Sequence, residues 1–259
     1  MFLPLLLALT APQVEASRSA AEIVVDGRLD EPIWRQAKKI SAFRQRELVE
    51  GAAPSERTEV AIAYDDERLY LAIWAFDREP QAITAFELAR DFGGSDDRFS
   101  VILDTYQDGR NGYLFSVNPN GAMADSLVTD GRANADWDGV WWAEVQRDET
   151  GWQAELVIPF STLRFYDRQD PSWGVNFERR IARKMETVRW TGWQRNTDLT
   201  HLDRAGILTG LRGIRQGQRA NLKPYALGGW QRTGALEEAT WNAGGDIDGG
   251  FLLNESAAG

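Results

Sequence analysis

The sequence predicts an all-β protein, a two-sheet antiparallel β-sandwich, from three observations. Apolar residues alternate with period two along several segments, for example residues 98–104 and 173–183. Tight-turn residues separate such segments, as Asn111-Gly112 does. Helical patterns cover only two short stretches. Because a long hairpin must bury one face, we expect a second sheet to pack against it.

Composition excludes several classes of protein. A chain of 259 residues with 43% hydrophobic residues can bury a large core, so disorder is excluded. The formal charge of −10 argues against nucleic acid or an anionic membrane surface as a partner. The absence of cysteine excludes a disulfide framework and a thiolate metal site. A Ser-His-Asp triad would depend on His201, the one histidine, and is disfavoured.

The N-terminus predicts a leader. Residues 2–9 form an apolar run that is too short to span a bilayer, and Val14-Glu15-Ala16 resembles a cleavage site. A positively charged start is missing, so a disordered or packed N-terminal tail remains the alternative. We therefore predict a signal peptide over residues 1–16 and an exported mature protein.

The first part of the domain starts with a strand, a turn and a helix between residues 24 and 39. Asp30 is expected to cap the helix, with Pro32 in its first turn. Two strands follow at residues 60–64 and 69–77. The second is apolar on both faces, which predicts a central strand covered on both sides.

The rest of the domain is organised around a hairpin at residues 98–104 and 113–117. Phe99, Val101 and Leu103 define its buried face. A loop rich in Gly, Asp and Asn is expected at residues 129–139. Further elements are predicted in order: strands at 140–146 and 152–158, a helical turn at 159–163, and strands at 173–183, 188–194 and 208–214. The predicted sandwich covers residues 22–212.

The character of the sequence changes near residue 216. Residues 221–232 and 240–254 are long, Gly-rich and weakly alternating, which is typical of outer-membrane barrel strands. Two strands cannot close a barrel, and a barrel needs every backbone group paired. The sequence therefore predicts that residues 217–259 begin a β-barrel whose remaining strands lie beyond this chain.

Several motifs resemble family 9 carbohydrate-binding modules. The run Asp26-Gly27-Arg28-Leu29-Asp30-Glu31-Pro32-Ile33-Trp34 is similar to the opening of those domains. Later matches are Tyr64-Asp65-Asp66-Glu67-Arg68-Leu69-Tyr70, Ser95-Asp96-Asp97-Arg98, Leu103-Asp104-Thr105, Asn118-Pro119-Asn120-Gly121, Gly151-Trp152 and Ile158-Pro159-Phe160. The set resembles most a bacterial family in which such a domain precedes an outer-membrane barrel.

The resemblance implies a sandwich that binds glycans without catalysis, in the best-known members by clamping a glycan end between two tryptophans. It also implies a periplasmic or outer-membrane location, partnership with the barrel, and a role in glycan capture or uptake. A pyranose offers an apolar face to an aromatic ring and hydroxyl edges to amide, carboxylate and guanidinium groups.

The tryptophans divide by their context into core and surface candidates. Trp34, Trp74, Trp152 and Trp173 lie on apolar periodic faces and are expected in the core. Trp141 and Trp142 are neighbours, so one of them should leave the core. The predicted carbohydrate-binding set is Trp137, Trp141, Trp190, Trp193, Asn176 and Arg180. A core role for these rings and a solvated sheet face are the alternatives.

Other chemistries remain open on the sequence alone. Asp97 and Asp104 could hold a structural calcium ion, although acidic turn chemistry explains them too. A glycoside hydrolase would need paired carboxylates, but none of the 39 acidic residues is singled out. Some relatives of the fold hold haem, which leaves Met123, Met185 and Lys184 as candidate ligands. Neighbouring strand residues point apart, which disfavours Lys184 and Met185 as a pair.

Overall fold

The computed structural model describes residues 11–216, and the backbone alone of residues 220–233 and 236–249. The chain divides into two compact units, Met1–Gln216 and Gly217–Gly259. The elements of the first unit follow in chain order. They are β1 (Gln13–Glu15), β2 (Ser17–Arg18), α1 (Pro32–Gln36), β3 (Arg44–Gln45), β4 (Thr58–Tyr64), β5 (Arg68–Phe76), β6 (Arg98–Asp104), β7 (Asn111–Val117), β8 (Met123–Thr129), β9 (Arg132–Asn134), β10 (Trp142–Asp148), β11 (Gly151–Pro159), β12 (Trp173–Ile181), β13 (Glu186–Arg189) and β14 (Gly206–Thr209).

Two sheets make up the first unit, and they confirm the predicted sandwich. The first sheet runs β1-β14-β12-β6-β7-β8-β9, and β13 and β3 extend it beside β12. The second sheet runs β10-β11-β5-β4-β2. Strand pairs are antiparallel except β1 with β14 and β2 with β4, which are parallel. Short 3-10 helices occupy Pro80–Ala82, Phe160–Thr162, Ala182–Lys184 and Leu202–Arg204.

The core lies between the inner faces of the two sheets. Phe99, Val101 and Leu103 of β6 belong to one buried cluster with Leu71 and Ile73 of β5. This confirms the alternation predicted for β6, whose observed bounds equal the predicted ones. Ile102, an apolar residue between Val101 and Leu103, lies on the outer face. It packs there beneath a loop that contributes Leu199 and Leu202.

The outer face of the second sheet is covered by the segment that contains α1. Trp34 is 1% exposed and packs with Ala37, Ala61 and Tyr70 in a second cluster. This confirms that β5 is covered on both faces. The helix is shorter than predicted, its N-cap is Glu31 rather than Asp30, and residues 24–25 form no strand.

The N-terminal strands join the two sheets. β1 pairs with β14 in the first sheet, and β2 pairs with β4 in the second, so the chain crosses between the sheets near Ala16. Val14 is 2% exposed within the main core. The sandwich therefore begins before the expected start at residue 22, and cleavage after Ala16 would remove β1. Residues 1–10 of the predicted leader lie outside the described residues. At the other end, buried Ile214 extends the sandwich two residues past the expected limit.

Strands β8 and β9 were not predicted from the sequence. Asp125 interrupts the apolar pattern of β8, and its buried carboxylate accepts a hydrogen bond from the Gly139 amide at 2.6 Å and pairs with Arg90. A charged residue whose partners come from distant loops conceals the period that marks a strand.

The second unit is an antiparallel hairpin of two 14-residue strands, β15 (Ala220–Thr233) and β16 (Leu236–Gly249). Their register pairs Ala220 with Gly249 and Thr233 with Leu236. β15 agrees with the predicted strand at 221–232, and β16 begins four residues before the predicted start at residue 240. Residues 250–254 of that prediction lie outside the described residues. Among the described residues, no helix is long and apolar enough to cross a membrane.

Candidate functional site

The outer face of the first sheet carries a row of polar side chains near the ends of β6 and β12. The register places Arg180 opposite Arg98 and Glu178 opposite Ser100. The same face continues through Ser116 on β7, opposite Ser100, and through Arg189 on β13, opposite Glu178. We call Arg98, Ser100, Ser116, Glu178, Arg180 and Arg189 the outer polar face.

Four members of the outer polar face have hydrogen-bond partners. Arg189 Nε donates to Glu178 Oε2 at 3.0 Å, and Arg189 Nη1 donates to the Gly192 carbonyl at 2.8 Å. The Ser100 and Ser116 hydroxyl oxygens lie 2.8 Å apart. The Glu178 carboxylate is therefore engaged by Arg189 and only partly balances the other cations.

Arg98 and Arg180 differ from their neighbours. The Arg98 guanidinium has no hydrogen-bond partner within residues 11–216, and the Arg180 Nε atom is buried without one in the same range. Burial lowers the pKa of Arg98, Glu178 raises that pKa, and Arg180 lowers it further. Arginine remains protonated in proteins. Like charges directly opposite on neighbouring strands are destabilising, so the pair leaves a charge that is only partly compensated, and Arg180 keeps one buried donor without a partner.

A groove of about 190 Å³ opens beside Arg98 on the same face. Its lining combines apolar, hydroxyl and charged groups, namely Asp91, Phe92, Arg98, Leu114, Ser116, Ala124, Asp125, Ser126 and Ala135. Drug-sized ligands occupy pockets of roughly 300–1,000 Å³. A groove of this size therefore suits one small group, such as a single ring, rather than a large ligand.

Asn176 holds a loop over the outer face rather than facing solvent. Its Oδ1 accepts from the Thr191 amide at 3.1 Å, and its Nδ2 donates to the Thr191 carbonyl at 3.0 Å. Both ends of this buried amide are used by the backbone, so Asn176 has a structural role here and its predicted contact with a ligand stays a prediction. The loop that it holds carries Trp193, which is half-buried against Gly51.

Two of the predicted surface tryptophans lie in the core. Trp141 is 2% exposed and meets Phe115 edge-on at 5.1 Å between ring centroids. Trp190 is buried with its ring 5.6 Å from that of Phe177. One member of the adjacent pair does leave the core, but it is Trp142, which is 51% exposed. The choice of Trp141 and Trp190 as surface platforms is therefore wrong.

Trp137 is half-buried at the margin of the main core. Its ring lies 5.2 Å from Tyr113 and 6.0 Å from Phe115, and both of those side chains point inward. Of the six predicted residues, only Arg180 lies on the outer polar face, and Trp193 lies on a loop held over the same side of the sheet. Arg98 was missed, although it occupies a polar position of an alternating strand, as Arg180 does.

The possible calcium ligands do not converge. Asp97 precedes β6 and Asp104 ends it, a separation of seven residues or about 23 Å along a strand. Asp97 Oδ1 accepts from the Ala182 amide at 2.9 Å, and Asp104 Oδ2 accepts from the Gly109 amide at 2.7 Å. Within the described part of the chain, no group of three acidic, histidine or cysteine residues could hold a metal. The prediction of a shared calcium site is wrong.

The candidate haem ligands are also separated. Lys184 Nζ donates to Ser55 Oγ at 3.0 Å and pairs with Glu56, and Met185, the next residue, is 73% exposed. Met123 starts β8, which is separated from β12 by β6 and β7, or about 14 Å. These three side chains do not form a haem site.

A buried carboxylate on the second sheet has a different environment. Glu155 Oε2 accepts from the Asp26 and Gly27 amides at 3.1 Å each, and Oε1 accepts from Trp34 Nε1 at 3.0 Å. Burial raises the pKa of Glu155 to about 7, with a further rise from Glu31, against the lowering effect of these hydrogen bonds. The motif at residues 26–34 therefore attaches the covering segment to the second sheet.

Comparison with known proteins gives a likeness of fold. No family model and no curated protein matches the sequence. A family 9 carbohydrate-binding module from Caldicellulosiruptor kristjanssonii, solved with cellotriose, is 15% identical with a TM-score of 0.54 over 76% of this chain and 93% of that one. A family 9 module from the same organism solved with glucose is 17% identical with a TM-score of 0.55, over 80% of this chain and 98% of that one.

A proposed carbohydrate-binding protein from Bacteroides uniformis is 12% identical with a TM-score of 0.60, over 77% of this chain and 99% of that one. At these identities the likeness concerns the fold and not the ligand. The chain thus contains a β-sandwich with the fold of family 9 carbohydrate-binding modules.

Proposed function

We propose that the sandwich is a non-catalytic carbohydrate-binding domain and that its outer polar face, with the adjoining groove, binds the glycan. The observation that carries this proposal is the Arg98 and Arg180 pair: Arg180 Nε is buried without a partner, and Arg98 lies beside a groove lined by hydroxyl and aromatic groups. The fold supports it, since similar solved domains were crystallised with cellotriose and glucose.

The groove contains the groups that a sugar ring requires. Phe92 and Leu114 supply apolar surface for one face of a pyranose, and the Ser116 and Ser126 hydroxyls can exchange hydrogen bonds with its edges. Guanidinium groups add charge-assisted donors. A few such contacts support dissociation constants from micromolar to millimolar.

Binding is favoured over hydrolysis by the state of the nearby carboxylates. Glu178 is engaged by Arg189, and Asp125 is engaged by Arg90 and the Gly139 amide. Glycoside hydrolysis needs two carboxyl groups that flank the scissile bond and are available to it. Among the groove residues, Asp91 presents an exposed carboxylate, but Asp125 is engaged, so Asp91 has no second available carboxyl group in the described lining.

The test is a broad glycan array, followed by calorimetric titration of the best ligand. R98Q and R180Q should each weaken binding about 10-fold or more, because a charge-assisted hydrogen bond is lost. R28Q is the matched control, since Arg28 is an exposed arginine in the segment over the second sheet. Failure to bind any glycan on the array would overturn the proposal.

We also propose that the domain belongs to an exported protein of the outer membrane and assists glycan capture or uptake. In this proposal the hairpin of β15 and β16 begins a membrane barrel. The 14-residue length of each strand supports it, because barrel strands need about 9–11 residues to cross a bilayer.

Truncation after Gln216 tests the barrel proposal. The melting temperature of the sandwich should remain unchanged if the hairpin belongs to a separate unit. A sharp fall would show that the hairpin stabilises the sandwich and would contradict the proposal. Fractionation of cells that express the full-length protein tests the proposed location.

A further inference from the structure

The outer polar face is locally cationic in a chain of net charge −10. Three of its guanidinium groups, from Arg98, Arg180 and Arg189, are accompanied by one carboxylate, that of Glu178. Arg189 pairs with Glu178, so this carboxylate only partly balances the charges of Arg98 and Arg180. Asp91 lines the groove but is exposed to solvent, where its charge is screened.

The positions of Arg98 and Arg180 allow both to reach one anion. They are partners across neighbouring strands, which places their Cβ atoms about 4.5–5.5 Å apart. The guanidinium fork matches a carboxylate in two parallel hydrogen bonds. A bound anion would fill the unpaired donors and remove the repulsion between the two cations.

From this arrangement we propose that the ligand is an acidic glycan, and that Arg98 and Arg180 bind the carboxylate of a uronic acid residue. The inference rests on the proposed function, since it names the class of sugar that the outer polar face takes. Phe92, Leu114, Ser116 and Ser126 lie beside Arg98 and provide the contacts that a pyranose ring adjacent to the carboxylate would use.

The experiment compares two oligosaccharides of equal length that end in glucuronate or in glucose. These sugars differ at C6, a carboxylate against a hydroxymethyl group, so the comparison isolates the charge. The full chain should bind the glucuronate-ended sugar at least 10-fold more tightly, and 300 mM salt should reduce this preference. R98Q and R180Q should abolish the preference, whereas R28Q should retain it. R98K should restore part of it, because lysine keeps the charge but lacks the fork.

Contrary outcomes separate this inference from the proposed function. Equal affinity for the two sugars, with equal losses in R98Q and R180Q, would leave carbohydrate binding intact and overturn the acidic ligand. Inorganic phosphate or acetate that binds as tightly as the glucuronate-ended sugar would show a simple anion site and also overturn it. If neither sugar binds while the array identifies another neutral glycan, only the acidic ligand is overturned. If no glycan binds at all, both proposals fail. Should a variant not fold, the preference of the unmodified protein still decides.

Discussion

The two outer faces of the sandwich both carry charged residues on central strands, but only one of these faces is closed. On the second sheet, Glu155 is 1% exposed and accepts three hydrogen bonds from the covering segment. On the first sheet, Arg98 and Arg180 are half-buried; Arg180 Nε is buried without a partner, and Arg98 has no hydrogen bond to another residue within 11–216. Buried polar groups are normally paired, so an unpaired group marks a place where a partner is missing.

A charge that is engaged within the fold is distinguished by its partners from one that is available to a ligand. Both faces arise from the same two-residue alternation of strands, and Glu155, Arg98 and Arg180 all have apolar neighbours. What separates them is the chain segment that crosses each face and the donors or acceptors that it brings. A charged side chain whose partners are all present is engaged within the fold, and one without partners can bind something else.

The largest effect is expected from W34A on the closed face. Loss of this buried ring, with its hydrogen bond to Glu155, should lower the free energy of unfolding by about 3–5 kcal/mol. W142A is the matched control, since that ring is exposed and should change stability by about 0.5 kcal/mol or less. Urea unfolding followed by fluorescence measures both, and equal small losses would remove the distinction between the faces.

A chain that begins at residue 19, and so lacks residues 11–18, should show the next largest effect. These residues cross between the two sheets and lead into the covering segment. The deletion removes the pairing of β1 with β14 and of β2 with β4. It also removes the burial of Val14, which alone contributes roughly 1.5–3 kcal/mol. A chain that begins at residue 11 is the control. An unchanged melting temperature would be compatible with a leader that ends at Ala16.

Stability should also depend on pH through Glu155. Its pKa rises from the ordinary 4.5 to about 7 in the folded protein, so folding favours the protonated form. The contribution is complete below about pH 4.5 and is lost as pH rises to about 7. The free energy of unfolding should therefore fall across this window. E155Q should flatten the fall and E149Q, in an exposed turn, should keep it; an equal slope in both variants would contradict the assignment.

The smallest effect on stability is expected on the open face. R98Q and R180Q should change the free energy of unfolding by about 0.5 kcal/mol or less, or raise it slightly, because a like-charge pair is removed. The same urea unfolding experiment measures these variants. A loss of several kcal/mol would mean that the arginines stabilise the fold, and the contrast between the two faces would disappear.

Local patterns were sufficient for most strands. β6 was predicted with its observed bounds, and β11 and β12 to within two residues, because each alternates regularly between a buried core face and an outer face. β8 was not predicted because Asp125 faces inward. Its carboxylate pairs with Arg90 and accepts a hydrogen bond from the Gly139 amide, and both residues lie far from it in the sequence. The motif at residues 26–34 indicated the fold, but its hydrogen bonds to Glu155 could not be predicted from it.

Short-range periodicity and composition were enough to predict the sandwich, its main strands and the change of character near residue 216. Only the packing of the two sheets shows that Trp141 enters the core while Trp142 leaves it, because alternation separates two neighbours without saying which side is buried. It also placed Arg98 opposite Arg180 across two strands that are distant in the chain. Strand register is a long-range property, set by the packing of whole faces, and the candidate site depends on that register.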